Sequence, residues 1–236
     1  MLPPRIKKAA KAAKHKKSNY LRTLINEKMI KDIVFDFGGV IATIDTNEAL
    51  RRFAALGIPN PTDYINSYCQ QGPFFALENG DISAEEFCKE LGIICGREIS
   101  YAEAKHAWFG FIVDIQTTYL EYLQELRPQY RLSLLSNTNP FIQSWARSTG
   151  FTPDGKSLDD YFDKLFLSYM MNSSKPGDDI YRKMLVEGGM KPEETLFIDD
   201  SEKNIEAAKR LGIRTLKVEN GEDWRPALRN MLEMDV

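Results

Sequence analysis

The sequence predicts an α/β fold: a parallel sheet with a small helical cap inserted after its first strand. Three observations predict it. Short apolar runs alternate with helix-patterned stretches along much of the chain, as strands and crossover helices do in a parallel sheet. Several of these runs end in a polar or acidic residue followed by turn chemistry. One long stretch, residues 46–126, breaks the alternation with helical patterns alone.

The first run, residues 30–35, ends at Asp36 and empties into Phe37-Gly38-Gly39-Val40. This pattern fits a buried strand followed by a glycine-rich turn. Helical segments are expected over 47–56, 62–71, 83–91 and from 100 onward. Ser83 with Glu86, and Ser100 with Glu103, set a serine three residues before a glutamate, the spacing of a capping box. Asp45 is expected to cap the first of these helices rather than to act as an acid. Gln70-Gln71-Gly72-Pro73 reads as a loop that can face a site. Phe74, Phe75, Trp108, Phe109 and Phe111 are expected in the cap core, and His106 on a cap helix, away from chemistry.

The second strand, 132–135, runs into Ser136-Asn137-Thr138-Asn139-Pro140 and a helix over 141–148. A third, 164–169, precedes Ser174-Lys175-Pro176 and a helix over 179–187, with Asp178 and Asp179 suited to its N-terminus. A fourth, 195–198, ends at Asp199-Asp200 before a helix over 202–211, which Gly212 is placed to terminate. A fifth spans 214–218. The organisation expected is a Rossmann-like core of residues 29–45 and 127–236, a helical cap of 46–126, and a head of 1–28.

Composition bounds the function. The 236 residues are 43% hydrophobic and 28% charged, a globular profile able to bury a core. No run of eighteen apolar residues exists, so no membrane-spanning helix is expected. Cys69, Cys88 and Cys95 form no CxxC pair, which argues against a disulfide framework or a cysteine zinc site. They read as small buried hydrophobes in a cytoplasmic protein. Two histidines, His15 and His106, are too few for a histidine-rich metal site. The net charge of -3 hides an asymmetry: residues 1–28 hold nine basic residues against Glu27 alone. That head lacks an apolar signal region and reads as a basic, solvated extension. The rest is acidic, which excludes a broad nucleic-acid face.

Asp36, Ser136-Asn137 and Asp199-Asp200 stand at the carboxyl ends of strands, where an open parallel sheet binds its ligands. Three crowded carboxylates need a cation, and oxygen donors of this kind suit Mg²⁺. Lys175 and a hydroxyl beside them suit the oxygens of a phosphate. Asp36 can then be a metal ligand and a nucleophile at once.

On these residues the chain resembles the haloacid dehalogenase superfamily of Mg²⁺-dependent phosphohydrolases. The four motifs are Ile33-Val34-Phe35-Asp36-Phe37-Gly38-Gly39-Val40, Leu134-Leu135-Ser136-Asn137, Lys175-Pro176, and Phe197-Ile198-Asp199-Asp200-Ser201-Glu202-Lys203-Asn204. The likeness is greatest to members similar to α-D-glucose-1-phosphate phosphatase and to the phosphatase domain of epoxide hydrolase. It implies that Asp36 attacks phosphorus and forms an aspartyl-phosphate. It implies Mg²⁺ on Asp36, the Gly38 carbonyl and Asp199, with the phosphoryl group on Ser136, the Asn137 backbone and Lys175. Asp200 would orient Lys175 or a metal-bound water, and Asn204 would brace the loop. The substrate implied is a small phosphorylated metabolite such as a sugar phosphate, with no membrane or nucleic-acid partner.

One position departs from the pattern. Most phosphatases of this superfamily carry a second Asp two residues after the nucleophile, as general acid and base; here Gly38 stands there. A 2-haloacid dehalogenase, a phosphomutase and a catalytically silent binding module are the alternatives. A metal-free dehalogenase is disfavoured because carboxylates around Asp36 would repel one another uncompensated.

Overall fold

The structure, a computed structural model, describes residues 29–65 and 70–234. The basic head and Cys69 lie outside the described residues.

Five parallel strands form the core: β1 (Asp32–Phe35), β4 (Arg131–Ser136), β5 (Lys164–Leu167), β6 (Thr195–Asp199) and β7 (Arg214–Lys217). Their spatial order is β5-β4-β1-β6-β7, so β1 sits at the centre. Phe35 aligns with Leu134 on one side and Ile198 on the other. β1, β6 and most of β4 are buried on both faces, which is why they are near-continuous apolar runs. Ile33, Phe35, Leu134 and Ile198 pack on one face with Trp224. Val34, Leu135 and Phe197 pack on the other with Tyr181, Met184 and Ala208. Asp32 anchors the opposite end of β1, where its buried carboxylate meets the Arg131 guanidinium at 2.7 Å.

The four core strands beyond β1 lie where the sequence places them, to within two residues. The run at 164–169 stops at Leu167, because the chain turns there into a short helix, α7 (Ser168–Met171). Helices α6 (Pro140–Ala146), α8 (Asp178–Gly188) and α9 (Glu202–Arg210) follow their strands. Gly212 adopts the left-handed conformation at the end of α9.

Between β1 and β4 lie α1 (Thr46–Leu56), α2 (Gly72–Asn79), α3 (Ala84–Cys95) and α4 (Tyr101–Trp108). Both capping boxes are present, at Ser83/Glu86 and Ser100/Glu103. Asp45 caps α1 by accepting from the Asn47 N–H at 2.8 Å. Phe53, Phe74, Phe87 and Trp108 meet largely edge to face in the middle of these helices, and all four are buried. Phe75 departs from expectation by facing solvent at 44% exposure.

The expected helix over 62–71 is corrected. A single 3-10 turn occupies Pro61–Asp63, and Ile65 pairs with Gln70 in an isolated bridge. The helix instead begins on the glycine and proline read as a loop. Pro73 sits in the first turn of α2, where its missing N–H has no intrahelical partner to lose. Two short strands, β2 (Ala42–Ile44) and β3 (Ile112–Ile115), pair antiparallel at the foot of the insertion. Helix α5 (Thr117–Leu126) packs Tyr119 and Tyr122 against Trp224 of the core. Helix α10 (Arg225–Glu233) closes the chain.

Candidate active site

The carboxyl ends of β1, β4 and β6 converge on one cleft beneath the insertion. Asp36 follows β1, Ser136 ends β4, and Asp199 ends β6. Lys175 arrives on the loop after β5 and the short helix that follows it. The cleft floor holds Asp36, Gly38, Ser136, Asn137, Lys175 and Asp200.

Lys175 is the hub. Its ammonium lies 2.9 Å from Asp36 Oδ2 and 2.7 Å from Asp199 Oδ2. Burial works against that charge, but the Asp199 and Asp36 carboxylates outweigh it and hold the lysine above its ordinary pKa. The Asn137 side chain pins the Lys175 backbone from both sides. Its Oδ1 accepts from the Lys175 N–H at 2.8 Å, and its Nδ2 donates to the Lys175 carbonyl at 2.9 Å. Ser136 donates to the Asn137 carbonyl at 3.3 Å.

Both carboxylate oxygens of Asp36 are engaged. Its Oδ1 accepts from the Phe37 N–H at 2.6 Å while Oδ2 faces Lys175. Burial pushes its carboxyl well above the ordinary range against the pull of Lys175, and Asp199 and Asp200 add to the upward shift. Burial, then the Asp199 charge, pushes Asp200 up to about 6.

The two adjacent aspartates differ from expectation. Asp199 is fully buried and fully engaged: Oδ2 meets Lys175, and Oδ1 accepts from the Ser201 N–H and the Asn204 amide. Asn204 thus braces the loop through Asp199. Asp200 makes no hydrogen bond to Lys175; it lines the cleft beside Gly39. The reason is the alternation at a strand end, which sends successive side chains to opposite sides. So of the two parts expected of Asp200, the contact with Lys175 falls to Asp199, whose oxygens, expected on Mg²⁺, are engaged by Lys175, Ser201 and Asn204.

The donor set fits a divalent cation. Oxygens of Asp36, Asp199 and Asp200 lie within 4.8 Å of one another. One ammonium does not balance three carboxylates, and the carboxyls of Asp36 and Asp200 are raised first by burial and further by their acidic neighbours. Hard oxygen donors of this kind suit Mg²⁺.

The family profile described as "Haloacid dehalogenase-like hydrolase" matches residues 118–218. A "D-ribitol-5-phosphate phosphatase" of Bacteroides thetaiotaomicron is 48% identical over 200 residues, which are 85% of this chain and 97% of the relative. This chain belongs to the haloacid dehalogenase-like hydrolases. A solved hydrolase of the family from Porphyromonas gingivalis is 44% identical, with a TM-score of 0.83 over 86% of this chain and 98% of that one. A family enzyme of B. thetaiotaomicron, solved with magnesium and inorganic phosphate, is 36% identical, with a TM-score of 0.78 over 85% and 100% of the two chains.

The hydrolase also has cleft residues that sequence reasoning missed. Gly39 has φ +78°, and a Cβ there would stand 2.2 Å from Asp200 Oδ2. It is Gly39, rather than Gly38, whose backbone requires glycine. Glu78 of α2 lines the cleft, as does Asn139. Burial pushes the Glu78 carboxyl up to about 8, against the downward pull of Asn139. The Gln70 loop does border the cleft, as do Trp108 and Phe111. His106 is exposed, and Asp45 is taken up in its cap.

Proposed function

We propose that this hydrolase is a Mg²⁺-dependent phosphatase of a small polyhydroxylated phosphomonoester, a sugar phosphate or a sugar-alcohol phosphate, acting through an aspartyl-phosphate on Asp36. The observation that carries the reading is Lys175, buried and bridging Asp36 and Asp199 beside Asp200. The relative named D-ribitol-5-phosphate phosphatase supports the substrate class. The magnesium and phosphate in a solved relative support the metal. The cleft encloses about 140 Å³, against ~300–1,000 Å³ for drug-sized ligands, so the substrate is small.

In this reading Asp36, the Gly38 carbonyl and Asp200 would hold Mg²⁺, with Asp200 in the place expected of Asp199, because Lys175, Ser201 and Asn204 engage the Asp199 oxygens. The metal supplies charge neutralisation to the phosphate oxygens. Lys175 and the Phe37 N–H fix the two oxygens of Asp36, presenting a carboxylate whose rotation is already restricted. Lys175, Ser136 and the Asn137 backbone carry the transferring phosphoryl oxygens. Asp199 and Asn204 keep Lys175 charged and in place. Asp36 forms a bond to phosphorus as the ester oxygen leaves, and water then cleaves the aspartyl-phosphate and restores the carboxylate. The cap in this scheme is the group of helices α1 to α4, over a core of 29–45 and 127–236. Free thiols at Cys88 and Cys95 suit a cytoplasmic setting.

The test is phosphate release from a panel of pentose, hexose and alditol phosphates, with and without a chelator. Release that needs Mg²⁺ and vanishes in Asp36→Asn is expected. Metal-independent halide release from 2-haloacids would assign the dehalogenase chemistry instead. Phosphate release at the wild-type rate in Asp36→Asn would place the nucleophile elsewhere.

A further inference from the structure

We infer that Gln70, Glu78 and Trp108 form a subsite that reads the hydroxyl groups of the substrate's polyol chain. The inference rests on the phosphatase reading above and adds to it the residues that choose the leaving group.

Two of these side chains carry buried polar atoms without a partner. Trp108 is 2% exposed and borders the cleft, yet its indole N–H meets no acceptor. Gln70 also borders the cleft, and its buried Oε1 meets no donor. Among the described residues only four buried side-chain polar atoms are orphaned in this way, and two of them belong to this one cleft. Each such atom costs ~1–3 kcal/mol when left unpaired, so a donor and an acceptor orphaned together call for a ligand that completes both.

A hydroxyl group is that ligand, because it both donates and accepts. Glu78 supplies the third member. Like Asn139, its side chain borders the same cleft. Burial keeps it protonated at neutral pH, so it offers an O–H donor as well as an acceptor. Among the described residues, no cationic side chain borders the cleft apart from Lys175. A second phosphate or a carboxylate on the substrate would thus find no counter-charge in the cap. An apolar leaving group would leave all three polar groups unpaired, which is how a site built for hydroxyls rejects analogues lacking them. Phe111, Ile112 and Ile142 supply apolar wall for the carbon chain.

The experiment compares kcat/KM on three substrates: D-ribitol 5-phosphate, D-ribose 5-phosphate, and p-nitrophenyl phosphate, which has no hydroxyls. The variants are Trp108→Phe, Gln70→Leu, Glu78→Gln and Glu78→Leu, each checked for folding by circular dichroism and melting. In Trp108→Phe, Gln70→Leu and Glu78→Leu the preference for the polyol over the aryl substrate should fall roughly tenfold, the worth of about one hydrogen bond. Glu78→Gln, which keeps a donor and an acceptor, should retain most of the preference that Glu78→Leu loses. Preferring ribitol 5-phosphate over ribose 5-phosphate identifies an open chain as the occupant, and the reverse a ring. An unchanged polyol-to-aryl ratio in folded variants overturns the subsite. So does Glu78→Gln falling as far as Glu78→Leu, which would give Glu78 a proton-transfer part. Wild-type protein releasing no phosphate from any substrate would instead overturn the phosphatase reading itself.

Discussion

Gly38 leaves the departing ester oxygen without the carboxylic acid that most members of the superfamily place there. That oxygen must then leave with more of its negative charge, so the rate should rise steeply with leaving-group acidity. A series of aryl phosphates in the chemistry-limited regime measures the slope. A Cβ at Gly38 would stand 3.5 Å from Ile44 Cγ2, an ordinary contact, and the backbone there is not left-handed. Gly38→Asp should accordingly fold and flatten the slope by helping poor leaving groups most. Gly39→Ala should do the opposite. Its methyl would displace Asp200, and a shift of about 1 Å in a reacting constellation costs about 100-fold. Lys175→Ala should lose roughly a hundredfold or more in kcat/KM, as for deletion of one electrostatic stabiliser. Lys175→Arg should not restore it, because a planar fork does not replace a compact ammonium between two carboxylates. Glu78 adds a pH signature. Its folded pKa of about 8 lies above the ordinary 4.5, so the folded state holds a proton that the unfolded chain has released. Stability should fall as pH rises between those values. Glu78→Gln should melt progressively higher relative to wild type from pH 5 to pH 8; a pH-independent difference would contradict the shift.

Helix ends and strand ends explain which elements could be read from the sequence. β1, β4 and β6 were legible because both of their faces are buried, which makes them plain apolar runs. α3 and α4 were legible because their serine-glutamate boxes are local in sequence. Ser83→Ala and Ser100→Ala should each lower stability by ~1 kcal/mol in urea unfolding. α2 was hidden because it starts on Gly72-Pro73, residues that serve a loop equally well. The β2–β3 ribbon was hidden because its strands are three and four residues long and nearly seventy residues apart. Of the site, Asp36, Ser136, Lys175 and the aspartate pair were legible as polar residues ending or following apolar strands. The Asn137 grip on Lys175 spans 38 positions and has no local signal. Glu78 looks like any solvated helical acid until the fold carries α2 over the cleft. The seam that carries it there is specific. Asn172 donates to the Gly80 carbonyl at 3.1 Å, and Ser174 donates to Asn79 Oδ1 at 3.2 Å. The end of α2 is therefore tied to the loop that bears Lys175.

At the scale of the whole molecule, charge organises both the head and the site. Deleting residues 1–28 should leave kcat/KM unchanged within about twofold, because the cleft is built from later residues; a larger loss would show that the head docks. Mg²⁺ should raise the melting temperature, since a ligand held only by the folded state stabilises by ~2.7 kcal/mol at 100 times its Kd. Calorimetry across a magnesium titration checks this. The order of the strands has a consequence for the protein's synthesis. The central strand is among the first parts of the core to leave the ribosome, whereas both of its sheet neighbours come later, β6 after residue 194. A nascent chain carries Asp36 well before it carries Lys175 or Asp200. It therefore exposes a carboxylate that has neither its ammonium partner nor the two aspartates that stand beside it in the folded chain. Translation must pass residue 204 before the clamp around Asp36 exists. A fragment that stops short of residue 204 therefore lacks the full set of ammonium, carboxylates and amide that surrounds Asp36 in the folded chain.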